Sequence, residues 1–331
     1  MTKAHAYHSN SPTLSHINGM LNATSVVEIE AILANTVYAD LVIEARPSID
    51  LTKFEIALRR DYAQLLSTYV VAADPTISEL LIAFAMLIEA DNMTLILQAI
   101  IRKNADDSIL ESIIPVGRFG LPHYKRMLDT TTVEAASDFI IYPKLRKAVQ
   151  TALTKSDDPD YQIYYLASAL SHASYEILQK VAPQWVKNQV ELLNLQTICR
   201  AIKLDIKPDE WLIPNFGIIN QYRSILVGMS TPRDVLNFVL PHFFIKRPLR
   251  LALEADDDKI VEVLEEASLE YQYHKHQKNF TIYGLKKESI LDFFAIKKAE
   301  IEDISKIILG TIKGIPSETV EGMLKMPIYR R

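Results

Sequence analysis

Two stretches of the sequence, 98 residues apart, carry the same pattern. Residues 97–128 read LQAIIRKNADDSILESIIPVGRFGLPHYKRML, and residues 195–226 read LQTICRAIKLDIKPDEWLIPNFGIINQYRSIL. Both begin Leu-Gln-x-Ile-x-Arg, cross a polar stretch, reach Ile-Pro and continue through Phe-Gly into an amphipathic segment with a tyrosine. Residues 297–316, KKAEIEDISKIILGTIKGIP, repeat more weakly residues 189–208, QVELLNLQTICRAIKLDIKP. Internal repeats are typical of scaffolds whose units bury faces against one another, so the pattern favours partner binding over one catalytic pocket.

The composition agrees with a helical scaffold. The chain has 331 residues, 49% hydrophobic and 23% charged, which is ordinary for a globular protein with a large core. Glycine is scarce, at 9 residues, which disfavours turn-rich β classes. A formal net charge of −5 gives no reason to expect a nucleic-acid partner. The one cysteine, Cys199, lies in an apolar helical context and is predicted to be a small buried side chain in a reducing compartment.

The chain shows no sign of a targeting or membrane-spanning segment. Residues 1–26 are polar and lack the apolar core of a signal peptide. The longest apolar run, residues 80–88, is nine residues long, whereas a membrane span needs about twenty. We therefore expect a buried core helix there, and a protein that is cytoplasmic or reaches a membrane only through partner subunits.

Helix start signals recur along the whole chain. A hydroxyl residue is followed three residues later by glutamate at four places, and an N-cap residue precedes proline at two more. The predicted N-caps are Ser25, Thr52, Thr76, Thr131, Asp158 and Thr231. No stretch alternates apolar and polar residues long enough to predict a sheet, so the fold class is all-α. Polar stretches between the predicted helices suggest domain boundaries, with an N-terminal arm over residues 1–26 and helical units over residues 27–155, 156–232 and 233–331.

The sequence contains no complete catalytic or metal-binding motif among those considered below. There is no phosphate-binding GxxxxGK[ST] loop, no GxGxxG and no recognisable nucleophile elbow. His274-x-His276 has no further ligand at matched spacing and is interpreted as part of a solvated loop. Two aspartate clusters, at residues 106–107 and 256–258, resemble the magnesium motifs of all-α isoprenoid synthases but lack the completing aspartate. No catalytic residue, cofactor or metal is therefore predicted.

One strongly charged stretch leaves two interpretations open. Residues 254–270 carry eight acidic residues against one lysine, and the chain beyond residue 271 is richer in basic residues. The stretch is either a solvated helical face or a steering surface for a basic partner.

These residues together resemble a known family, the C subunits of archaeal-type (A/V-type) rotary ATPases, which are related to the d subunits of vacuolar ATPases. The resemblance covers nearly the whole chain. It lies in LANTVYADLV (residues 33–42), in LQAIIRK followed by IIPVGRFG, in VELLNLQTICRAIK (residues 190–203) and in FFAIKKAEIEDISKIILGTIKGIPSETVEGML (residues 293–324). The repeat signature, predicted to be structural, comprises Gln98, Arg102, Pro115, Glu191, Asn194, Gln196, Arg200, Pro214 and Glu300.

The three copies depart from one another within this resemblance. Asn194 belongs to the Glu-x-x-Asn-Leu pattern of the family helix. In the first copy Asn92 lies too early, relative to Gln98, to reproduce that step. In the third copy Asp303 takes the place of the asparagine and Leu309 stands where the arginine would be.

The resemblance implies a specific role. Family members are non-catalytic, funnel-shaped all-α proteins built from three similar helical units around a pseudo-threefold axis. They lie on the cytoplasmic face of the membrane, where they join the central shaft of the ATPase to the proteolipid ring and transmit torque. The loops at IIPVGRFG and LIPNFG are expected to share one face. The alternatives are a helical-repeat adaptor unrelated to the ATPase and an all-α enzyme that uses a magnesium-bound diphosphate.

Overall fold

A computed structural model describes residues 2–44, 51–116, 120–206, 212–214, 217–282 and 286–325. Within those ranges the chain forms eighteen α-helices and one 3-10 helix and contains no strand. The all-α prediction is confirmed. In chain order the α-helices are α1 Thr2–Ser9, α2 Leu14–Leu21, α3 Val26–Leu33, α4 Ala39–Glu44, α5 Leu51–Ala72, α6 Pro75–Ile101, α7 Leu121–Leu128, α8 Val133–Ser137, α9 Pro143–Leu153, α10 Pro159–Val181, α11 Pro183–Lys203, α12 Ile218–Gln221, α13 Arg223–Leu226, α14 Pro232–Val239, α15 Lys246–Glu254, α16 Ile260–Ile282, α17 Ser289–Lys313 and α18 Ser317–Met323, with the 3-10 helix at Asp107–Ser112 before α7.

The helices form two compact units. One contains Met1–Ile77 and Gln272–Arg331, and the other contains Ser78–Tyr271. The first unit thus contains both an N-terminal and a C-terminal part of the chain, while the second is continuous in sequence. The predicted division at residues 155/156 and 232/233 stays a prediction.

Helix α17 is the centre of the unit that holds the chain ends. Sixteen of its 25 residues are buried, so it is covered around most of its circumference, which is typical of a central core helix. Within the unit it packs against α1, α2, α3, α5 and α18. The first 26 residues, predicted to be a polar arm, contain α1 and α2, which bury Ala4, Ile17 and Met20 completely.

The other unit contains two hydrophobic cores. The first is built from α6, α7, α9 and α10, with Met93, Tyr124 and Leu170 fully buried. The second is built from α11, α14, α15 and α16, with Leu195 and Leu249 fully buried. Helix α10 packs against both α9 and α11. Each core therefore contains one of the long helices that carry the sequence repeat.

Helix α6 contains the apolar run at residues 80–88. By length and composition the helix could cross a membrane, but 67% of its most apolar stretch is buried inside the protein. Glu89 and Asn92 lie in the same helix and are buried with polar partners. Since a spanning helix presents its apolar surface to lipid, burial within the protein fits the predicted core helix.

Several helices begin where the sequence predicts. The side chains of Ser25, Asp158 and Thr231 each accept a hydrogen bond from a backbone N–H in the first turn of α3, α10 and α14. The other three predicted N-caps are displaced. Thr132, not Thr131, caps α8. Asp74, not Thr76, caps α6, because its carboxylate accepts from the backbone N–H groups of Thr76 and Ile77. Thr52 lies inside α5.

Candidate functional site

The repeat centres on a buried side chain that holds the backbone far downstream. In α11, Asn194 is fully buried, and its side-chain amide meets the backbone of Ile213. The Asn194 Nδ2 donates to the Ile213 carbonyl at 2.8 Å, and the Ile213 N–H donates to Asn194 Oδ1 at 2.8 Å. An amide can do this because it carries a donor and an acceptor side by side. We call this side-chain-to-backbone link a clamp.

The first copy of the repeat contains the same clamp. Asn92 Nδ2 in α6 donates to the Ile114 carbonyl at 2.7 Å, and the Ile114 N–H donates to Asn92 Oδ1 at 3.1 Å. Asn92 Nδ2 also donates to the buried Tyr124 hydroxyl at 3.1 Å. Ile114, like Ile213, is the residue immediately before the proline of the Ile-Pro motif. Asn92 and Asn194 therefore perform the same task in the two copies.

The third copy has an acidic version of the clamp. Asp303 in α17 is fully buried, and its Oδ1 accepts a hydrogen bond from the backbone N–H of Lys325 at 2.7 Å. A carboxylate only accepts, so Asp303 cannot donate to a backbone carbonyl as the two asparagines do. The separation along the chain is 22 residues, as between Asn92 and Ile114.

The three helices also end in the same way. A residue with left-handed backbone lies 11 positions after each clamp residue: Lys103 (φ 55°), Asp205 (φ 54°) and Gly314 (φ 61°). In each copy the residue after the left-handed one donates its backbone N–H to the carbonyl of the residue five positions before it, at 2.9–3.1 Å. This is the Schellman ending, which turns the chain away from the helix. Only the third copy has the glycine that this conformation favours.

The helix endings fix the register of the repeat. Asn92 and Asn194 are 102 residues apart, and so are Lys103 and Asp205. The match of Leu-Gln-x-Ile-x-Arg, at 98 residues, is one helical turn away from this register. In the structural register Arg200 corresponds to Gln98 and not to Arg102. The sequence reasoning therefore missed Asn92, although the shared Glu-x-x-Asn spacing at Glu89 and Glu191 could have identified it.

A buried glutamate lies three residues before each clamp residue. Glu89, Glu191 and Glu300 are 0%, 5% and 1% exposed. Their partners differ: the Tyr142 hydroxyl donates to Glu89 Oε1 at 3.4 Å, whereas the Ile219 N–H donates to Glu191 Oε2 at 3.2 Å. Glutamate is rarely buried without partners, so this position also has a structural role in all three copies.

Glu191 makes its contact through a very close approach to Gly217. A Cβ atom placed on Gly217 would lie 1.5 Å from Glu191 Oε1 and 2.0 Å from Cδ. Glycine is therefore required where the loop returns to α11, immediately before α12. The two residues that precede it, Asn215 and Phe216, and residues 117–119 of the first copy lie outside the described residues.

The third glutamate belongs to a buried polar cluster on α17. Lys297 Nζ donates to Glu300 Oε1 at 2.5 Å, to the Tyr38 hydroxyl at 2.9 Å and to Ser11 Oγ at 3.4 Å. The ammonium also lies 4.6 Å from the ring centroids of Tyr7 and Tyr38. Burial lowers the pKa of Lys297, against the opposing effect of Glu300. The cluster ties the N-terminal segments to α17.

The other signature residues lie nearer the surface. Arg200 is half-buried and donates to Glu265 Oε1 at 2.5 and 3.2 Å. Gln98, Pro115 and Gln196 are half-buried, and Arg102 and Pro214 are exposed. Their role as a repeat signature stays a prediction.

The acidic stretch at residues 254–270 is partly neutralised within its own unit. Three of its acidic side chains form ion pairs with arginines, at 2.5–2.8 Å: Asp257 with Arg233, Glu265 with Arg200 and Glu270 with Arg247. These pairs neutralise part of the negative charge of the stretch. This agrees better with a solvated, paired helical face than with a surface that steers a basic partner. Within the described ranges no three His, Cys, Asp or Glu residues are grouped so that they could hold a metal ion.

Comparison with known proteins assigns the chain to a family. The family model described as ATP synthase (C/AC39) subunit matches residues 1–323. The chain belongs to that family. The family is one of structural ATP synthase subunits and does not carry the catalytic site. The resemblance found in the sequence is thereby confirmed.

A curated relative points the same way. The chain is similar to the C subunit of the A-type ATP synthase of Archaeoglobus fulgidus, with 22% identity over 231 residues. This match covers 66% of the chain and 64% of the relative, so it spans a little less than two thirds of the relative's length.

Proposed function

We propose that this chain is the non-catalytic central-stalk subunit of an A/V-type ATPase. In this role it forms the socket that joins the central shaft to the membrane proteolipid ring. It then transmits torque between them, for ion-coupled ATP synthesis or hydrolysis. The three clamped helices belong to three similar helical units, which we place around a pseudo-threefold axis so that they form a funnel.

The observation that carries the proposal is the threefold clamp in a chain of the ATP synthase (C/AC39) subunit family. Asn92, Asn194 and Asp303 each lie 11 residues before a left-handed helix end and each hold a backbone group 19 or 22 residues downstream. Three units with the same helix ending are suited to closure around an axis. An open-ended stack would need shorter repeats and capping units.

A protein that couples shaft to ring must be stiff, and the clamps supply stiffness where loops would otherwise yield. Each clamp replaces water around a buried backbone group by a fixed side chain, so the segment after the helix is held at a second point. Loops without such links are the most mobile parts of a fold. The clamps therefore favour a role in which force passes through the loops as well as the helices.

The predicted partners follow from this role. They are the shaft subunits and the proteolipid ring, and the chain lies peripherally on the cytoplasmic face. It reaches the membrane only through these subunits, and its function requires no cofactor or nucleic acid. The shaft end would enter the socket by helix-in-groove recognition.

Co-purification tests the proposal directly. Affinity-tagged chain is expected to retain both the shaft subunits and the detergent-solubilised ring from membranes of the same organism. Retention of neither would contradict the proposal and favour a helical-repeat adaptor unrelated to the ATPase.

Cross-linking tests whether the loops after the clamped helices contact partners. Single cysteines at exposed Pro214 and Gly120 are suitable, because the native Cys199 is fully buried. Both are expected to cross-link to the shaft or the ring in the assembled complex, whereas a cysteine at exposed Lys155 controls for random collision. If neither cysteine cross-links to the shaft or to the ring, the two loops are not contact surfaces.

A further inference from the structure

Phe244 is the most exposed large apolar side chain among those described. It is 90% exposed, although its neighbours Phe243 and Ile245 are 3% and 4% exposed and belong to the core of α11, α14, α15 and α16. Because both neighbours are held in the core, the backbone at Phe244 is fixed and the aromatic ring is presented to solvent in a defined place. A rigid, exposed aromatic side chain is the usual form of an anchor at a protein interface.

The segment of sequence that contains Phe244 is basic. The sequence LPHFFIKRPLRLAL, residues 240–253, contains Lys246, Arg247 and Arg250 and no acidic residue. All three are exposed. Arg247 pairs with Glu270 at 2.8 Å but remains 67% exposed, so its outer edge is still available to a partner. Lys187, on α11, is also exposed and shares with Phe244 the wall of a hollow of about 70 Å³.

The position of these charges is unfavourable for the free chain. Lys246 and Arg247 lie in the first turn of α15, which has no acidic residue in that turn and no side-chain cap from Ile245. The N-terminal end of a helix carries partial positive charge and prefers acidic side chains. Glu270 already pairs with Arg247, and an acidic partner protein would offset the remaining repulsion.

We propose that Phe244, Lys246, Arg247 and Arg250 form a docking surface for an acidic face of another protein of the ATPase complex. The Phe244 ring would enter an apolar pocket of that protein, and the three basic side chains would pair with carboxylates around the pocket. This inference rests on the chain's membership of a multisubunit ATPase family and not on the socket role. An anionic membrane surface is the less suitable occupant, because interfacial binding needs a broad apolar face and here one aromatic ring is offered.

The hollow beside Phe244 lies between the docking surface and α11. Its wall includes Glu191 and Gly217, which are in the close contact described above. The docking surface is thus built on the clamped helix of the second copy.

Photo-cross-linking in the assembled ATPase tests the proposal. Benzoylphenylalanine is placed at position 244 and, as a matched control, at Val71, which is 87% exposed. We expect position 244 to form one dominant cross-link to another protein of the complex, at a site flanked by aspartate or glutamate. No cross-link, a cross-link to lipid, or a cross-link to a site without acidic neighbours would overturn the proposal. If the complex does not assemble even with unaltered chain, the proposed function fails instead.

Affinity measurements provide the second test. ATPase complex depleted of this chain is titrated with the unaltered chain, with Phe244→Ala, with Lys246→Glu/Arg250→Glu and with the control Val71→Ala. Truncation of an interface anchor is expected to weaken rebinding on the order of 30-fold. The charge reversal should weaken rebinding and reduce its salt dependence, while Val71→Ala should rebind normally. Unchanged rebinding of Phe244→Ala and of the charge-reversal variant would refute the docking surface. Circular dichroism confirms that each variant is folded.

Discussion

The Cα atom of Gly217 lies against the carboxylate of Glu191, so closely that any side chain at position 217 would overlap it. Asn194 binds Ile213, which is 19 positions further along the chain, and Gly217 lies four positions after Ile213. Two links, Asn194 with Ile213 and Glu191 with Gly217, therefore hold the same segment to α11. One is a pair of hydrogen bonds and the other is a close packing contact. The segment before α12 is therefore positioned both by hydrogen bonding and by the absence of a side chain.

Replacing Gly217 by alanine should destabilise the protein. The added Cβ would lie 1.5 Å from Glu191 Oε1, so the glutamate or the loop must move and the Ile219 N–H loses its acceptor. Overpacking of this kind typically costs about 1–3 kcal/mol, and a lost buried acceptor adds to it. Denaturant unfolding followed by circular dichroism measures the change.

The matched control for this substitution is Gly120→Ala. Gly120 also precedes a helix of the repeat, but its nearest added contact, Pro122 Cδ, is at an ordinary 3.5 Å. The protein should lose no more than about 1 kcal/mol, the typical cost of an alanine at an N-cap, which Gly217→Ala also incurs at α12. Equal destabilisation by both substitutions would show that the contact with Glu191 is not the cause.

The clamp residues should respond differently to exchange of amide and carboxylate. Asn194→Asp removes the Nδ2 donor to Ile213 and places a carboxylate at a fully buried position, so we expect a loss of at least about 1–3 kcal/mol. Asp303→Asn keeps an oxygen that can accept from the Lys325 N–H, and it removes the charge that attracts half-buried Lys306 at 3.4 Å. It should cost no more than about 1 kcal/mol. Unfolding midpoints of the two variants, compared under one condition, provide the measurement.

Asn92→Asp provides the internal check on this asymmetry. Its clamp to Ile114 has the same two hydrogen bonds as that of Asn194, so it should lose a similar amount of stability. A tolerated Asn92→Asp together with a destabilising Asp303→Asn would contradict the assignment of the three clamps to one structural role.

The all-α fold and the family could be predicted from the sequence because their signals are local or cumulative. N-caps such as Ser25 depend on neighbouring residues, and the order of many weak motifs along the chain identifies the family. The register of the repeat could not be predicted in the same way. The residue types of Leu-Gln-x-Ile-x-Arg match at a separation of 98 residues, but Asn92 and Asn194 correspond at a separation of 102. The two copies share the helix end and the contact with the backbone, and these do not depend on the residue types of that motif.

The clamps themselves were hidden for a physical reason. Ile114 and Ile213 are linked through backbone atoms, and any residue type except proline offers the same N–H and carbonyl groups. The Ile-Pro motif marks the place of the partner in two copies, but nothing in the residue type of Ile114 or Ile213 shows that its backbone is bound. The buried cluster at Lys297 was missed for another reason: its partner Tyr38 is 259 residues away along the chain.

Lys297→Met should destabilise the unit that holds the chain ends. The substitution leaves Glu300 buried without its ammonium partner, and breaking a buried pair from one side typically costs about 3–5 kcal/mol. Adding Glu300→Gln should recover part of the loss, because a neutral amide oxygen can still accept from the Tyr38 hydroxyl. A double-mutant cycle from unfolding free energies gives the coupling between the two residues.

The control for that cycle is Lys313→Met in the same helix. Lys313 is exposed, so removal of its charge should change stability by less than about 0.5 kcal/mol. A coupling near zero between positions 297 and 300 would show that the two side chains contribute independently, against the short distance between them.

Cys199 should make the protein less stable in alkaline solution. Burial raises the pKa of its thiol to about 12, whereas in the unfolded chain the thiol ionises near its ordinary value of about 8.5. Between these values the folded state keeps a proton that the unfolded state has released, so stability falls as pH rises. The contribution of this group should fall by about 1.4 kcal/mol per pH unit above about pH 9. Measuring unfolding free energies of unaltered chain and Cys199→Ala from about pH 8 to about pH 10.5 isolates it, since all other groups titrate in both. The advantage of cysteine over alanine should shrink with pH, and a constant difference would contradict the raised pKa.

In the folded protein the thiol should also resist iodoacetamide at about pH 8 and react once denaturant unfolds the chain.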